Sequence, residues 1–191
     1  MPNMKITGIV LTGGKSSRMG HDKALFLYEG KSLLQRAVDF CSAFCDEVLI
    51  SSSNKEHAVE GILRIDDEVE NCGPIGGIYS SLKSSSNEWN FVLSVDAPFV
   101  QKDFVEYLKD KTHGFDAAVP IHDGKKEPLI AFYHKRILPE IKAKIQADNY
   151  KLHFFLKEIN TNFVESEDWL KRYPTLFRNL NYPEDIDNIM L

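Results

Sequence analysis

Apolar runs alternate with three-to-four-residue hydrophobic periodicity along this chain. Residues 5–11, KITGIVL, are short, β-branched and apolar nearly throughout, the pattern of a strand buried on both faces. From Lys31 the chain places Leu34, Ala37, Val38, Cys41, Phe44 and Cys45 at helical intervals, with Ser32 as a candidate N-cap, which predicts an amphipathic helix. Further strands are predicted at residues 47–52, 61–67, 89–100, 116–120 and 127–133. Helices are predicted after Pro74 and over residues 101–111, 135–145 and 150–159. Strand, turn and helix follow closely in the closing LFRNLNYPEDIDNIM, and KSSSNE (83–88) reads as a polar surface turn.

This alternation implies right-handed βαβ crossovers and a mostly parallel sheet covered on both faces: an α/β, Rossmann-like, three-layer architecture. At 191 residues without repeat or linker, the expectation is one domain over residues 1–191. The balance of 43% hydrophobic and 27% charged residues is ordinary for a soluble globular protein, and no apolar run is long enough to span a bilayer. The N-terminus lacks the pattern of a secretory signal, so the cytoplasm is the expected location. Cys41, Cys45 and Cys72 form neither an even disulfide framework nor a zinc clip. Cys41 and Cys45, four apart on a helix, read as small buried residues, with a shared ligand as the alternative. A net charge of −5 without a basic, aromatic-interleaved block disfavours nucleic-acid binding.

The candidate chemistry begins where the first strand ends, in LTGGKSSRMGHDKA (11–24). Gly14, Lys15 and Ser16 finish a P-loop pattern, but the upstream glycine, Gly8, is one residue too far and falls inside the strand. The dinucleotide fingerprint fails because Gly13 and Gly14 are adjacent. What remains is a glycine pair at a strand's carboxyl end, followed by Lys15, Arg18, Lys23 and Lys31 in an acidic chain. Ligands of open α/β sheets bind outside the carboxyl ends of the strands, so position and charge together suggest a phosphate site. His21 reads as an exposed loop histidine, with phosphate contact as the alternative, and the other histidines show no metal spacing.

The stretch from Leu11 to Arg36 resembles the signature of nucleotidyltransferases, and among them most closely that of the molybdenum cofactor guanylyltransferases. Leu11, Gly13, Gly14, Arg18, Met19, Gly20, Asp22, Lys23, Gly30, Lys31 and Leu33 carry the first block of that resemblance. Gly73, Pro74, Ile75 and Gly77 carry a second; Asp96, Pro98 and Phe99 a third; Asn179, Asn181, Pro183, Glu184 and Asp185 a fourth. Departures are Thr12 for alanine, Val95 for the cysteine before the acid, and Ser51 for an asparagine that contacts nucleotide.

The resemblance implies a nucleotidyltransferase-type fold and transfer of GMP from GTP to the terminal phosphate of molybdopterin, with release of pyrophosphate. It implies Arg18, Lys23 and Asp96 as the groups of the reaction, Asp96 holding Mg²⁺ (Mn²⁺ as alternative), with Lys15 as a helper. Leu11, Thr12, Gly13, Gly14, Ser51, Asp67 and Gly77 are implied around the nucleotide, with Asp66 as the alternative to Asp67. Related cytidylyltransferases tend to carry alanine where Gly13 stands, which favours a purine here. Asn179 and Asn181 are implied on the acceptor side, where amides match a pterin edge, with a loop-fixing role as the alternative. The strand containing Glu127 resembles the acceptor side, and Glu127 itself has a structural alternative. Asp96 also has the alternative of capping the helix that follows. Implied partners are GTP, molybdopterin or the molybdenum cofactor, and molybdenum-insertion and molybdoenzyme maturation proteins. Two other functions fit the same motifs: a nucleotidyltransferase using CTP or a sugar phosphate, and a nucleotide-binding assembly factor without catalysis.

Overall fold

A computed structural model describes residues 4–13, 22–69, 71–180 and 185. Its strands are β1 (Ile6–Leu11), β2 (Leu27–Tyr28), β3 (Lys31–Ser32), β4 (Glu47–Ser51), β5 (Leu63–Ile65), β6 (Trp89–Ser94), β7 (Ala117–His122), β8 (Lys125–Lys126), β9 (Ile130–His134) and β10 (Thr161–Glu165). Its helices are α1 (Leu33–Ser42), α2 (Pro74–Ser84), α3 (Lys102–Asp110), α4 (Leu138–Gln146), α5 (Leu152–Phe155) and α6 (Glu167–Arg172). The main sheet runs β10-β7-β9-β6-β1-β4-β5, with β8 paired to β7 and the hairpin β2–β3 separate. β1 pairs in parallel with β4 and β6, β4 with β5, and β7 with β10.

Both faces of the sheet are covered, which is why its central strands are apolar at consecutive positions. Ile6 and Val10 pack with Leu34, Val38 and Cys41 of α1 and with Phe104 and Leu108 of α3. Ile9 and Leu11 point the other way, into a second core with Ile75 and Ile78 of α2 and Ile141 of α4. The three layers thus follow from the period-2 alternation of strands against two apolar helix faces. Ser32 caps α1, its hydroxyl accepting from the Gln35 amide at 3.1 Å. A Cβ on Gly8 would stand 2.8 Å from the Cys41 Cβ, so the strand glycine lets α1 lie close. Cys41 is fully buried there, and its hydrogen bond with Cys45, burial and their mutual charge repulsion raise its pKa well above the ordinary thiol range. All three cysteines are free thiols.

The sheet is mostly parallel, as expected; β9 alone of its longer strands runs antiparallel, to both β6 and β7, because the connection from β7 is a short hairpin through β8, too short for a parallel crossover. Other sequence expectations are corrected. The strand expected over 89–100 stops at Ser94, where Ala97 N closes a turn on the Ser94 carbonyl and Pro98 supplies no donor. The helix expected over 150–159 is the one-turn α5. β10 and α6 were not anticipated: Val164 is the one buried residue of β10, and α6 is six residues long. No strand forms in the described part of the closing segment, where residues 176–180 pack as irregular chain. The 83–88 turn is more than polar surface. Buried Ser85 donates to Thr7 Oγ1 at 2.8 Å, and Glu47 accepts from Thr7 and from the Ser86 amide and hydroxyl.

Candidate functional site

The register aligns the ends of the central strands: Leu11 pairs with Ser51 and Ser94, and Ser51 with Ile65. Thr12, Gly13, Ser52, Asp66, Asp67, Val95 and Asp96 therefore emerge along one carboxyl edge. Thr12 is buried, and its hydroxyl donates to the Ser51 carbonyl at 3.0 Å, fixing the first step beyond β1 to the end of β4. Gly13 has φ +86, a left-handed conformation that favours glycine, and among the described residues a Cβ there would meet nothing within 4 Å. Its missing methyl is thus a matter of backbone conformation, with no neighbour to avoid among the described residues.

Four predicted residues converge on the α2 side of this edge. A Cβ on Gly77 would lie 2.5 Å from Ser51 Oγ, 3.3 Å from Leu11 Cδ2 and 3.4 Å from Asp67 Oδ1. Ser51 Oγ in turn reaches Asp67 Oδ1 at 3.5 Å. Asp67 is the acid that faces this cluster, whereas exposed Asp66 is paired with Arg64. Burial raises the Asp67 pKa above the ordinary carboxylate value; the Ser51 hydroxyl opposes that rise and the charge of Asp66 adds to it. A half-buried carboxyl beside a serine hydroxyl and a bare helix backbone offers acceptors to a planar, donor-bearing ligand.

Asp96 lies on the other side of β1. The Val95 amide donates to the Leu11 carbonyl at 3.0 Å and Val95 is buried, so the side chain preceding the acid belongs to the core. Asp96 does not cap α3, whose N-cap is Gln101, and among the described residues nothing engages its carboxylate. The Leu180 amide donates to the Asp96 carbonyl at 2.8 Å, which brings exposed Asn179 to the same edge. Beside this segment the His122 ring stacks on Phe177 with centroids 4.6 Å apart, and Nε2 donates to Glu127 at 2.9 Å. Glu127 therefore holds a histidine that spacing did not single out.

Lys23 begins the short 3₁₀ turn Lys23–Leu25, and Asp22 caps it through the Ala24 amide at 3.0 Å. Asp22 also accepts from Asn54 at 3.0 Å and from His57 at 2.8 Å, both in the loop beyond β4. Asp22 is thus tied to the loop beyond β4, on one side of β1, while Asp96 follows β6 on the other. Lys31 is paired with Asp39 at 2.6 Å and lines a cavity of about 320 Å³ between α1 and the 95–100 turn, away from the Gly77 cluster. Gly14, Lys15, Arg18, Met19, Gly20, His21, Asn181, Pro183 and Glu184 lie outside the described residues. His57 and Asn54 carried no sequence signal, since their partner Asp22 is 35 and 32 positions away.

Among the described residues no helix is long and apolar enough to cross a membrane. A protein of Halalkalibacterium halodurans named "Probable molybdenum cofactor guanylyltransferase" is 31% identical over 195 residues, covering 97% of this chain and 98% of its own. The solved structure of molybdopterin-guanine dinucleotide biosynthesis protein A from Archaeoglobus fulgidus superposes with a TM-score of 0.80 at 26% identity, covering 95% of each chain. The 2-C-methyl-D-erythritol 4-phosphate cytidylyltransferase of Thermus thermophilus shares the fold alone, with a TM-score of 0.67 at 15% identity over 93% of each chain. Residues 8–162 match the MobA-like NTP transferase domain, so the chain belongs to the MobA-like NTP transferase family.

Proposed function

We propose that this chain, acting as one domain in the cytoplasm, transfers GMP from GTP to the terminal phosphate of molybdopterin and releases pyrophosphate. The observation that carries the reading is the meeting of Leu11, Ser51, Asp67 and Gly77 on one side of β1 with Asp96 and the Asn179 segment on the other. A full-length relative and a solved structure with the matching printed names support the choice of GTP and molybdopterin. The free thiols fit a reducing compartment.

In the reaction an oxygen of the acceptor phosphate forms a bond to the α-phosphorus of GTP, and the bond to the bridging oxygen breaks, that oxygen leaving on pyrophosphate. Both reactants are anions, so the barrier is chiefly electrostatic and is lowered by positioning and charge neutralisation. Asp67 and Ser51 accept from donor groups of the base or ribose, and the bare Gly77 backbone leaves that ligand room. The backbone of Leu11, Thr12, Gly13 and Gly14 lines the approach to the base. Lys23 and Arg18 hold the triphosphate and the charge that develops on the leaving group; Arg18 suits bidentate contact and Lys23 a point charge. Asn179 and Asn181 orient the pterin.

Among the described residues no cluster of three or more His, Cys, Asp and Glu side chains is suited to a metal. Mg²⁺ keeps several waters and takes one or two carboxylates plus phosphate oxygens, and the Asp96 carboxylate, unengaged among the described residues, is such a donor. When bound, Mg²⁺ or Mn²⁺ would neutralise phosphate charge beside Asp96. Molybdenum-insertion and molybdoenzyme maturation proteins are natural partners for the product.

Thermal shift with Mg²⁺ and each of GTP, CTP, UTP and ATP tests the nucleotide. At 100 times its dissociation constant a ligand stabilises by about 2.7 kcal/mol, a rise of ~5 to 11 °C for a chain of this size. A response to GTP supports the reading; a response to CTP alone moves the chain to the cytidylyl reaction. Binding of GTP without pyrophosphate release in the presence of molybdopterin marks an assembly factor.

A further inference from the structure

A buried polar clamp joins the turn that carries Lys23 to the end of β4. His57 is 4% exposed, with Nε2 2.8 Å from Asp22 Oδ2 and Nδ1 2.6 Å from Ser52 Oγ. A carboxylate only accepts, so Nε2 carries the proton and Nδ1 accepts from the Ser52 hydroxyl. Ser52 Oγ then accepts the Asn54 amide at 3.0 Å, and Asn54 Nδ2 donates to the same Asp22 oxygen at 3.0 Å. Asn54 Oδ1 takes the Glu56 amide at 3.0 Å, so these polar groups satisfy one another. The order Ser, His, Asp is not a hydrolytic triad: the ring nitrogens are reversed relative to one, and the Ser52 hydroxyl is buried and already committed.

The three-residue turn Lys23–Leu25 has little helical bonding of its own; buried Ala24 seats it in the core, and the Asp22 carboxylate ties its start to the loop beyond β4. On the other side Ser52 is held by its amide on the Ile65 carbonyl and by Arg64 on its own carbonyl, next to Ser51 and Asp67. One connected network thus fixes the lysine of the phosphate side relative to the base side. We propose that His57 is a positioning residue, which acts through Asp22 to hold Lys23 where the triphosphate of the nucleotide lies. The inference rests on the guanylyl-transfer reading.

The test is a double-mutant cycle on kcat/KM for GTP, measured below the unfolding range of every variant. His57→Phe keeps the ring volume and removes both nitrogens. Asp22→Asn cuts the clamp at its more exposed end and stands in should His57→Phe fail to fold. Each is expected to lower kcat/KM by about 10- to 100-fold in the wild-type background and by less than about twofold in a Lys23→Ala background, since the clamp then has nothing to position. A purely structural role would lower Tm and leave kcat/KM untouched, or give losses that multiply with Lys23→Ala; either result overturns the inference while leaving guanylyl transfer intact. A wild-type chain that forms no pyrophosphate from GTP and molybdopterin overturns both.

Discussion

Gly77→Ala places one methyl group into the convergence proposed to receive the base, and its effects on folding and binding can be separated. The new Cβ would lie 2.5 Å from Ser51 Oγ, closer than carbon and oxygen tolerate, and 3.3 Å from Leu11 Cδ2. Ser51 relieves the contact by rotating its hydroxyl, which breaks its 3.5 Å approach to Asp67. Overpacking of this kind costs about 1–3 kcal/mol, and replacing glycine by alanine within a helix returns ~1 kcal/mol. The net is a destabilisation of ~0–2 kcal/mol, a fall in Tm of up to ~8 °C. Ser51→Ala in the same chain removes the clashing oxygen and is expected to restore most of that loss. Binding behaves differently, because the methyl still fills ligand space: GTP affinity by calorimetry should drop at least about tenfold, ~1.4 kcal/mol, in both the single and the double variant. Unchanged GTP affinity in both would show that no base lies between Gly77 and Ser51, and would refute the reasoning.

Two further predictions concern acidity. The Asp67 pKa is raised, so between its unfolded and folded values the folded state binds more protons, and stability falls as pH rises through that window. Asp67→Asn should abolish that fall, leaving Tm above wild type at neutral pH while GTP affinity drops about tenfold, ~1.4 kcal/mol; calorimetric Tm against pH and GTP titration read the two effects. For Glu47, burial would raise the carboxyl, but hydrogen bonds from Thr7 and Ser86 and the charge of Lys135 bring it below its usual value. Its contribution is therefore present above the unfolded pKa and lost as pH falls through the folded one. Glu47→Gln should lower stability by about 1 kcal/mol at neutral pH, a difference that closes in acid; a gap constant with pH would remove ionisation from the explanation.

How much of this was legible in the sequence differs by element. β1 and β6 were readable because both are apolar on two faces; β1 ends abruptly in glycines after Leu11, whereas the apolar residues beyond Ser94 masked the true end of β6. α1 was readable because its apolar residues keep helical spacing behind a serine cap. The reversal of β9 was not, since periodicity carries no strand direction and the deciding feature is the short turn through β8. β10 escaped because a strand with a single buried residue has no alternating apolar signal. At the candidate site, motif resemblance named Leu11, Ser51, Asp67 and Gly77 separately, and their meeting depends on the parallel register of β1, β4 and β5. Asp66 and Asp67 could not be separated by sequence; the pairing of Asp66 with Arg64 separates them in space. The His57 clamp was invisible because its order depends on two loops that meet only when β1 and β4 pair.

The central claim is that one carboxyl edge binds GTP and passes its α-phosphorus to an acceptor phosphate with the help of Asp96. GTP labelled at the α-phosphorus, incubated with Mg²⁺, molybdopterin and the full chain, measures it directly, with Asp96→Asn as the paired variant. The account predicts one pyrophosphate released for each label transferred, and loss of transfer in a variant that stays folded. Equal transfer by Asp96→Asn, or transfer from CTP and none from GTP, would contradict it.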